Sequence, residues 1–161
     1  MKNSYLIIVA LFVSLAFVAC KKKKEGCTDP LSIAYDPSAE VYDGSCRYGG
    51  LGGNVTIVAH PMHGGMPIVS GTHDTLGVAH ADSAMVKFNA KDSPGSNPGK
   101  YDLRLEGEDG EDHLHIHSLK PGWYYIYMTG YDSIDSAVVR GGMQVKVETT
   151  SGEMNVNIPV N

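Results

Sequence analysis

The chain has 161 residues, with 13 Lys+Arg against 18 Asp+Glu and a formal net charge of −5. This acidic balance argues against a nucleic-acid partner, whose phosphates call for a basic surface. The length allows one domain of about 100 to 150 residues around a single core, plus a short extra segment. Nineteen glycines, eight prolines and nine tyrosines favour strands and turns over helices.

In chain order, Lys2 precedes an uninterrupted apolar run from Tyr5 to Ala19, long enough for a signal h-region but short for a spanning helix. Residues 1–19 therefore read as an export signal. The run ends in Phe17-Val18-Ala19-Cys20, which resembles the bacterial lipobox, although Phe17 stands where Leu is usual. The resemblance implies acylation (palmitate) at Cys20 and a lipoprotein anchored at the cell envelope, in the outer membrane on its periplasmic or surface side. Residues 20–25 (CKKKKE) then form a tether whose lysines would lie against anionic headgroups, adding an electrostatic contact to acyl burial. With Cys20 lipidated outside the cytoplasm, Cys27 and Cys46 have only each other, and a disulfide is the simple reading.

Residues 26–48 read GCTDPLSIAYDPSAEVYDGSCRY. The pieces GCTDP, AYDP and YDGSC resemble a small module that recurs in secreted proteins of Bacteroidetes, with Ala34 replacing the usual Asn. A segment this short buries no core, so a disulfide worth ~3 kcal/mol would be its main source of order. Asp29, Asp36 and Asp43 recur every seven residues and invite a calcium reading. Asp-Pro and Asp-Gly as self-bonding turn formers is the better one, because calcium wants more oxygens in a tighter loop.

Residues 49–53 read as a glycine linker, and residues 54–161 as one β-sandwich domain. Val55, Ile57 and Ala59 share one face of a first strand. Ala84, Val86 and Phe88 alternate with Met85, Lys87 and Asn89, and Tyr101, Leu103 and Leu105 with Asp102, Arg104 and Glu106. Leu114 and Ile116 continue the series, and Met154, Val156, Ile158 and Val160 close the chain against Asn155 and Asn157. Such alternation marks half-buried strands. Trp123 to Met128 (WYYIYM) suits a central, well-covered strand, Asp109-Gly110 a hairpin turn, and Gly141-Gly142 a bulge or sharp bend. The expected fold is all-β, a single antiparallel Greek-key sandwich of about seven strands. The stretches SAMVKFNAKDSPGSNPGKYDLRL, SLKPGWYYIYMTGYD, VVRGGMQVKV and NVNIPV resemble Bacteroidetes lipoproteins with a transthyretin-like or carboxypeptidase-regulatory-like, Ig-like sandwich. That resemblance implies a binding or spacer module with an envelope protein or a glycan as partner. It supplies fold, not chemistry.

Histidine is the chemically unusual content. All seven lie beyond residue 59: His60, His63, His73, His80, His113, His115 and His117. In His113-Leu114-His115-Ile116-His117, strand alternation puts three imidazoles on one face, about 6 to 7 Å apart at the backbone, a span that two rings can bridge onto one ion. His60-Pro-Met-His63-Gly-Gly-Met66 mixes imidazole with thioethers, which suits copper. Copper or zinc on His113, His115 and His117, helped by His60 and His63, is thus the alternative to a binding module without a cofactor. No nucleophile elbow, no HExxH and no cysteine–histidine pairing appears, and the acidic GEDGEDH run reads as a solvated loop. The sequence is read as non-enzymatic.

Overall fold

The computed structural model describes residues 21–73, 76, 77, 79, 80 and 82–161, so the export signal and Cys20 lie outside the described residues. In chain order, β1 (Glu25–Gly26) and β2 (Val41–Tyr42) belong to the N-terminal module. β3 (Leu51–His63) and β4 (Met66–Pro67) follow, then β5 (Thr72–His73), β6 (Ala79–His80) and β7 (Ser83–Phe88). After a 3-10 turn at Pro98–Lys100 come β8 (Leu103–Glu106), β9 (Leu114–Leu119), β10 (Gly122–Asp132), β11 (Ala137–Val147) and β12 (Ser151–Pro159).

Two four-stranded sheets pack face to face. One has the order β11-β10-β7-β8; the other has β12-β3-β4, with β9 also paired to β3. Period-two alternation gives each strand one apolar face, and those faces meet in a single core. Ile57, Ile116 and Ile158 from one sheet pack with Val86, Ile126 and Val147 from the other, all fully buried. The chain is all-β, as the alternation indicates. Two pairings depart from the antiparallel pattern: the short β1–β2 pair of the module is parallel, and within the sandwich β12 runs parallel to β3, from Ser151 opposite Asn54 to Pro159 opposite Met62. The short turn after β11 reverses the chain, and reversal from β11 leaves β12 pointing the same way as β3.

Close backbone approach explains the glycines better than bends or linkers do. The β10–β11 register runs without a shift from Gly122 opposite Val147 to Asp132 opposite Ala137, so Gly141-Gly142 forms no bulge. A Cβ at Gly141 would collide with the Pro159 carbonyl, where Arg140 and Asn161 exchange backbone hydrogen bonds of 3.0 and 3.2 Å that stitch the sheets together. Likewise Leu51 to Gly53, read as linker, belong to β3. The Gly49 amide donates to Asn89 Oδ1 (2.8 Å) and the Gly50 amide to the buried Tyr124 hydroxyl (2.9 Å). A Cβ at Gly49 would strike the Tyr124 ring.

The module is closed by a Cys27–Cys46 disulfide. Buried Ser32 joins its two ends: its hydroxyl donates to the Arg47 carbonyl and accepts from the Ala34 and Arg47 amides. Asp29, Asp36 and Asp43 each accept from the amide two residues on (Leu31, Ser38 and Ser45, all 2.9 Å). Those bonds are Asx turns. The Tyr48 hydroxyl occupies the other oxygen of Asp29 (2.6 Å) and Lys24 that of Asp36 (2.7 Å).

The hairpin expected at Asp109-Gly110 is absent. β8 pairs with β7 and β9 with β3, so residues 107–113 arch between the sheets. The Ser70 amide donates to the Glu111 carbonyl (2.7 Å) and the Gly110 amide to the Ser70 carbonyl (2.8 Å), pinning the arch under the segment before β5. Gly110 has φ +90°, so the Asp-Gly pair does make a tight turn. Leu114 belongs to the core and partly buried Leu105 packs against it from the other sheet, so the chain changes sheets between them.

A candidate metal-binding histidine row

The antiparallel register of β3 against β9 sets Ala59 opposite Leu114 and Val58 opposite His115. Ala59, Leu114 and Ile116 face the core, so Val58, His60, His113, His115 and His117 face outward. His60 thereby joins the row. Successive ring centroids lie 5.4 Å apart for His60 and His113, 4.9 Å for His113 and His115, and 5.5 Å for His115 and His117. Val58 keeps only 4% of its surface exposed although it lies outside the core cluster, which fits a side chain covered by its imidazole neighbours.

Hydrogen bonds orient each ring. His113 Nδ1 donates to Asp112 Oδ1 (2.9 Å), with Glu111 Oε2 at 3.7 Å. That bond is the main reason the Asp112 carboxyl is held below its ordinary range. An ionised carboxylate only accepts, so neutral His113 carries its proton on Nδ1 and has a lone pair on Nε2. His113 Nε2 lies 3.1 Å from His115 Nε2. His60 Nε2 meets Asn155 Oδ1 of β12 (3.2 Å), and His117 Nδ1 meets the Thr56 hydroxyl (3.2 Å).

Two nitrogens 3.1 Å apart can both bind one ion at about 2.0 to 2.1 Å, with an N–metal–N angle of roughly 100°. Asp112 then stands where metal-bound histidines usually find a carboxylate, on the far ring nitrogen. His60, Asp112 and His113 also present ligand atoms within 4.8 Å of one another. Beside the row a groove of about 370 Å³ is lined by His113, His115 and His117 together with Glu106, Glu108 and Glu111. Glu106 is held by Arg104 (2.7 Å), so Glu108 and Glu111 are the carboxylates of that groove that could complete a coordination shell.

No family model matches the chain, and neither a curated protein nor a solved structure is similar to it. The function must be read from the site.

His63 does not join the row. Alternation along β3 turns it to the opposite face from His60, where Nδ1 meets Asp132 Oδ2 at 2.7 Å and Asp135 Oδ2 at 3.6 Å. Asp132 also accepts from the Ile134 and Asp135 amides (2.7 and 3.3 Å). The His63 bond, ahead of these amides, lowers its pKa. The three form a second group with ligand atoms within 4.8 Å, yet each polar contact already serves the β10–β11 turn. Met62 shares the outward side of β3 with His60, whereas Met66 lies opposite His63 and is 58% exposed. The thioether set suggested for copper is thus split between faces. His73 Nδ1 takes the Gly77 carbonyl (3.1 Å), and the His80 side chain is not described.

The sequence places Asp112 in the acidic GEDGEDH run, read as a solvated loop whose carboxylates lie next to the histidine row; its bond to His113 Nδ1 is what the structure adds. Sequence reasoning missed Asp82, whose side chain is buried with neither carboxyl oxygen hydrogen-bonded among the described residues. Burial pushes that carboxyl up to about 7.

Proposed function

We propose that this is a non-enzymatic, lipid-anchored envelope protein whose sandwich binds a divalent transition-metal ion, Zn(II) or Cu(II), on the outward histidine row. The observation that carries the reading is the 3.1 Å approach of His113 Nε2 to His115 Nε2, with Asp112 on the opposite nitrogen of His113. Imidazole with carboxylate suits Zn(II) and Cu(II); Cu(I) would want the sulfur ligands that the fold keeps apart. The lysines of the tether, Lys21 to Lys24, are exposed, in keeping with a chain held at an anionic membrane surface through Cys20.

The test is calorimetric titration of the full chain in detergent with Zn(II) and Cu(II). His113→Ala and His115→Ala should each weaken binding by tenfold or more, whereas His63→Ala should leave it unchanged. Affinity unaffected by the first two changes would overturn the reading.

A further inference from the structure

The opposite face of the sandwich is built from different chemistry. On β10 the outward residues Trp123, Tyr125 and Tyr127 are half-buried and follow one another at two-residue spacing, about 6 to 7 Å per step. Tyr101 extends the series, its ring 6.1 Å from that of Tyr127. Cations surround these rings. Trp123 lies opposite Lys146 and Tyr125 opposite Lys87, and the ammonium groups of Lys91 and Lys146 sit 4.4 and 5.6 Å from the Trp123 ring centre. Arg104 and Arg140 line a groove of about 240 Å³ with Tyr127. A Cβ at Gly142 would press on the Tyr125 ring, so the absence of a side chain there lets that ring lie across the backbone of β11.

Charge is segregated between the two faces. The chain as a whole is acidic, yet of the seven basic residues between Asn54 and Asn161 five lie here: Lys87, Lys91, Arg104, Arg140 and Lys146. Three carboxylates are ion-paired with them, Asp102 with Lys87 (2.9 Å), Glu106 with Arg104 (2.7 Å) and Glu148 with Lys146 (2.6 Å), and Asp29 of the module lies near enough to Lys91 to feel its charge. Arg140 has no carboxylate partner among the described residues, and the face retains net positive charge.

We propose that this face of the β11-β10-β7-β8 sheet is a platform for an acidic polysaccharide. The argument is independent of the metal site. A pyranose ring offers an apolar C–H face that can stack on an aromatic side chain, and a uronate or sulfate group on its rim pairs with guanidinium and ammonium groups. Repeated rings with repeated anions match a row of aromatics flanked by cations. Trp123, Tyr125 and Tyr127 stand on β10, an interior strand paired on both sides, so a ligand meets them through their rings and not by adding a strand to β10.

Affinity electrophoresis of the full chain in detergent, through gels containing polygalacturonate, neutral dextran or poly-L-glutamate, tests the proposal. Polygalacturonate should retard the protein, while dextran and poly-L-glutamate should not. The double variant Arg140→Gln/Lys146→Gln should lose at least fivefold in affinity for polygalacturonate, and Tyr125→Ala should abolish the retardation while circular dichroism stays unchanged. Should Tyr125→Ala unfold, the charge variant decides, since its residues are at the surface. No retardation by polygalacturonate, equal retardation by dextran or poly-L-glutamate, or full retention in the charge variant would each overturn it.

Discussion

His113 and His115, two residues apart on an outward strand face, bring their Nε2 atoms to 3.1 Å while Asp112 takes the remaining ring nitrogen of His113. Their separation is that of a hydrogen bond between the two Nε2 atoms. His115 is its donor, because neutral His113 is protonated on Nδ1. An arriving cation replaces the His115 proton, so binding should release protons and weaken as the solution is acidified.

Removing the orienting carboxylate should therefore matter even though Asp112 need not touch the ion. Asp112→Asn is expected to lower zinc affinity by about 10- to 100-fold with little change in folding stability, as read by calorimetry beside thermal unfolding. Equal affinity for both proteins would assign Asp112 to the loop alone.

Asp82 should make stability depend on pH in an unusual direction. Its folded-state pKa of about 7 lies above the unfolded value of about 3.9, so the folded protein binds the extra proton between them. Stability should fall as pH rises from about 4 to about 7 and then level off. Asp82→Asn should be more stable than the parent at pH 8, by on the order of a few kcal/mol, with the difference vanishing near pH 4. Asp132, whose pKa is lowered, acts the other way, losing stability as pH falls below the carboxylate range, and it cancels in this comparison. Thermal unfolding of both proteins across this range reads the effect; parallel curves would contradict it.

Much of the fold is legible from alternation alone. Val55, Ile57 and Ala59, Ala84 and Val86, and Leu114 and Ile116 each declare a core face, because a period of two leaves no other way to bury them. The tertiary reasons for the glycines are not legible: Gly49, Gly53 and Gly141 are small because a ring or carbonyl from a distant strand lies against them, and local sequence carries no trace of that neighbour. The same limit applies to the site. The row from His113 to His117 can be read from spacing, but admitting His60 and excluding His63 needs the β3–β9 register and the facing of β3. The outward aromatic row was hidden because WYYIYM suits a strand covered on both sides as well as one covered on one.

Tyr124 ties the start of β3 to the β9–β10 turn. Its hydroxyl donates to the Lys120 carbonyl and accepts from the Gly50 amide, inside a fully buried side chain. Tyr124→Phe should cost about 1 to 3 kcal/mol in chemical denaturation. A loss of only a few tenths would mean that water takes over both contacts.

The Cys27–Cys46 bond closes a loop with a sequence separation of 19, so its reduction should remove roughly 3 kcal/mol from the module. Limited proteolysis should then cut between residues 28 and 45 while zinc affinity stays unchanged, since the histidine row stands on β3 and β9. Loss of zinc binding on reduction would show that module and row are coupled.

The central claim is most directly tested by nitrogen-15 NMR of the full chain labelled at histidine, in detergent, with one equivalent of Zn(II). The Nε2 resonances of His113 and His115 should both move to metal-bound positions while His113 Nδ1 keeps its proton and His63 is unaffected. Unchanged Nε2 resonances on those two rings, or a response centred on His63, would contradict the account.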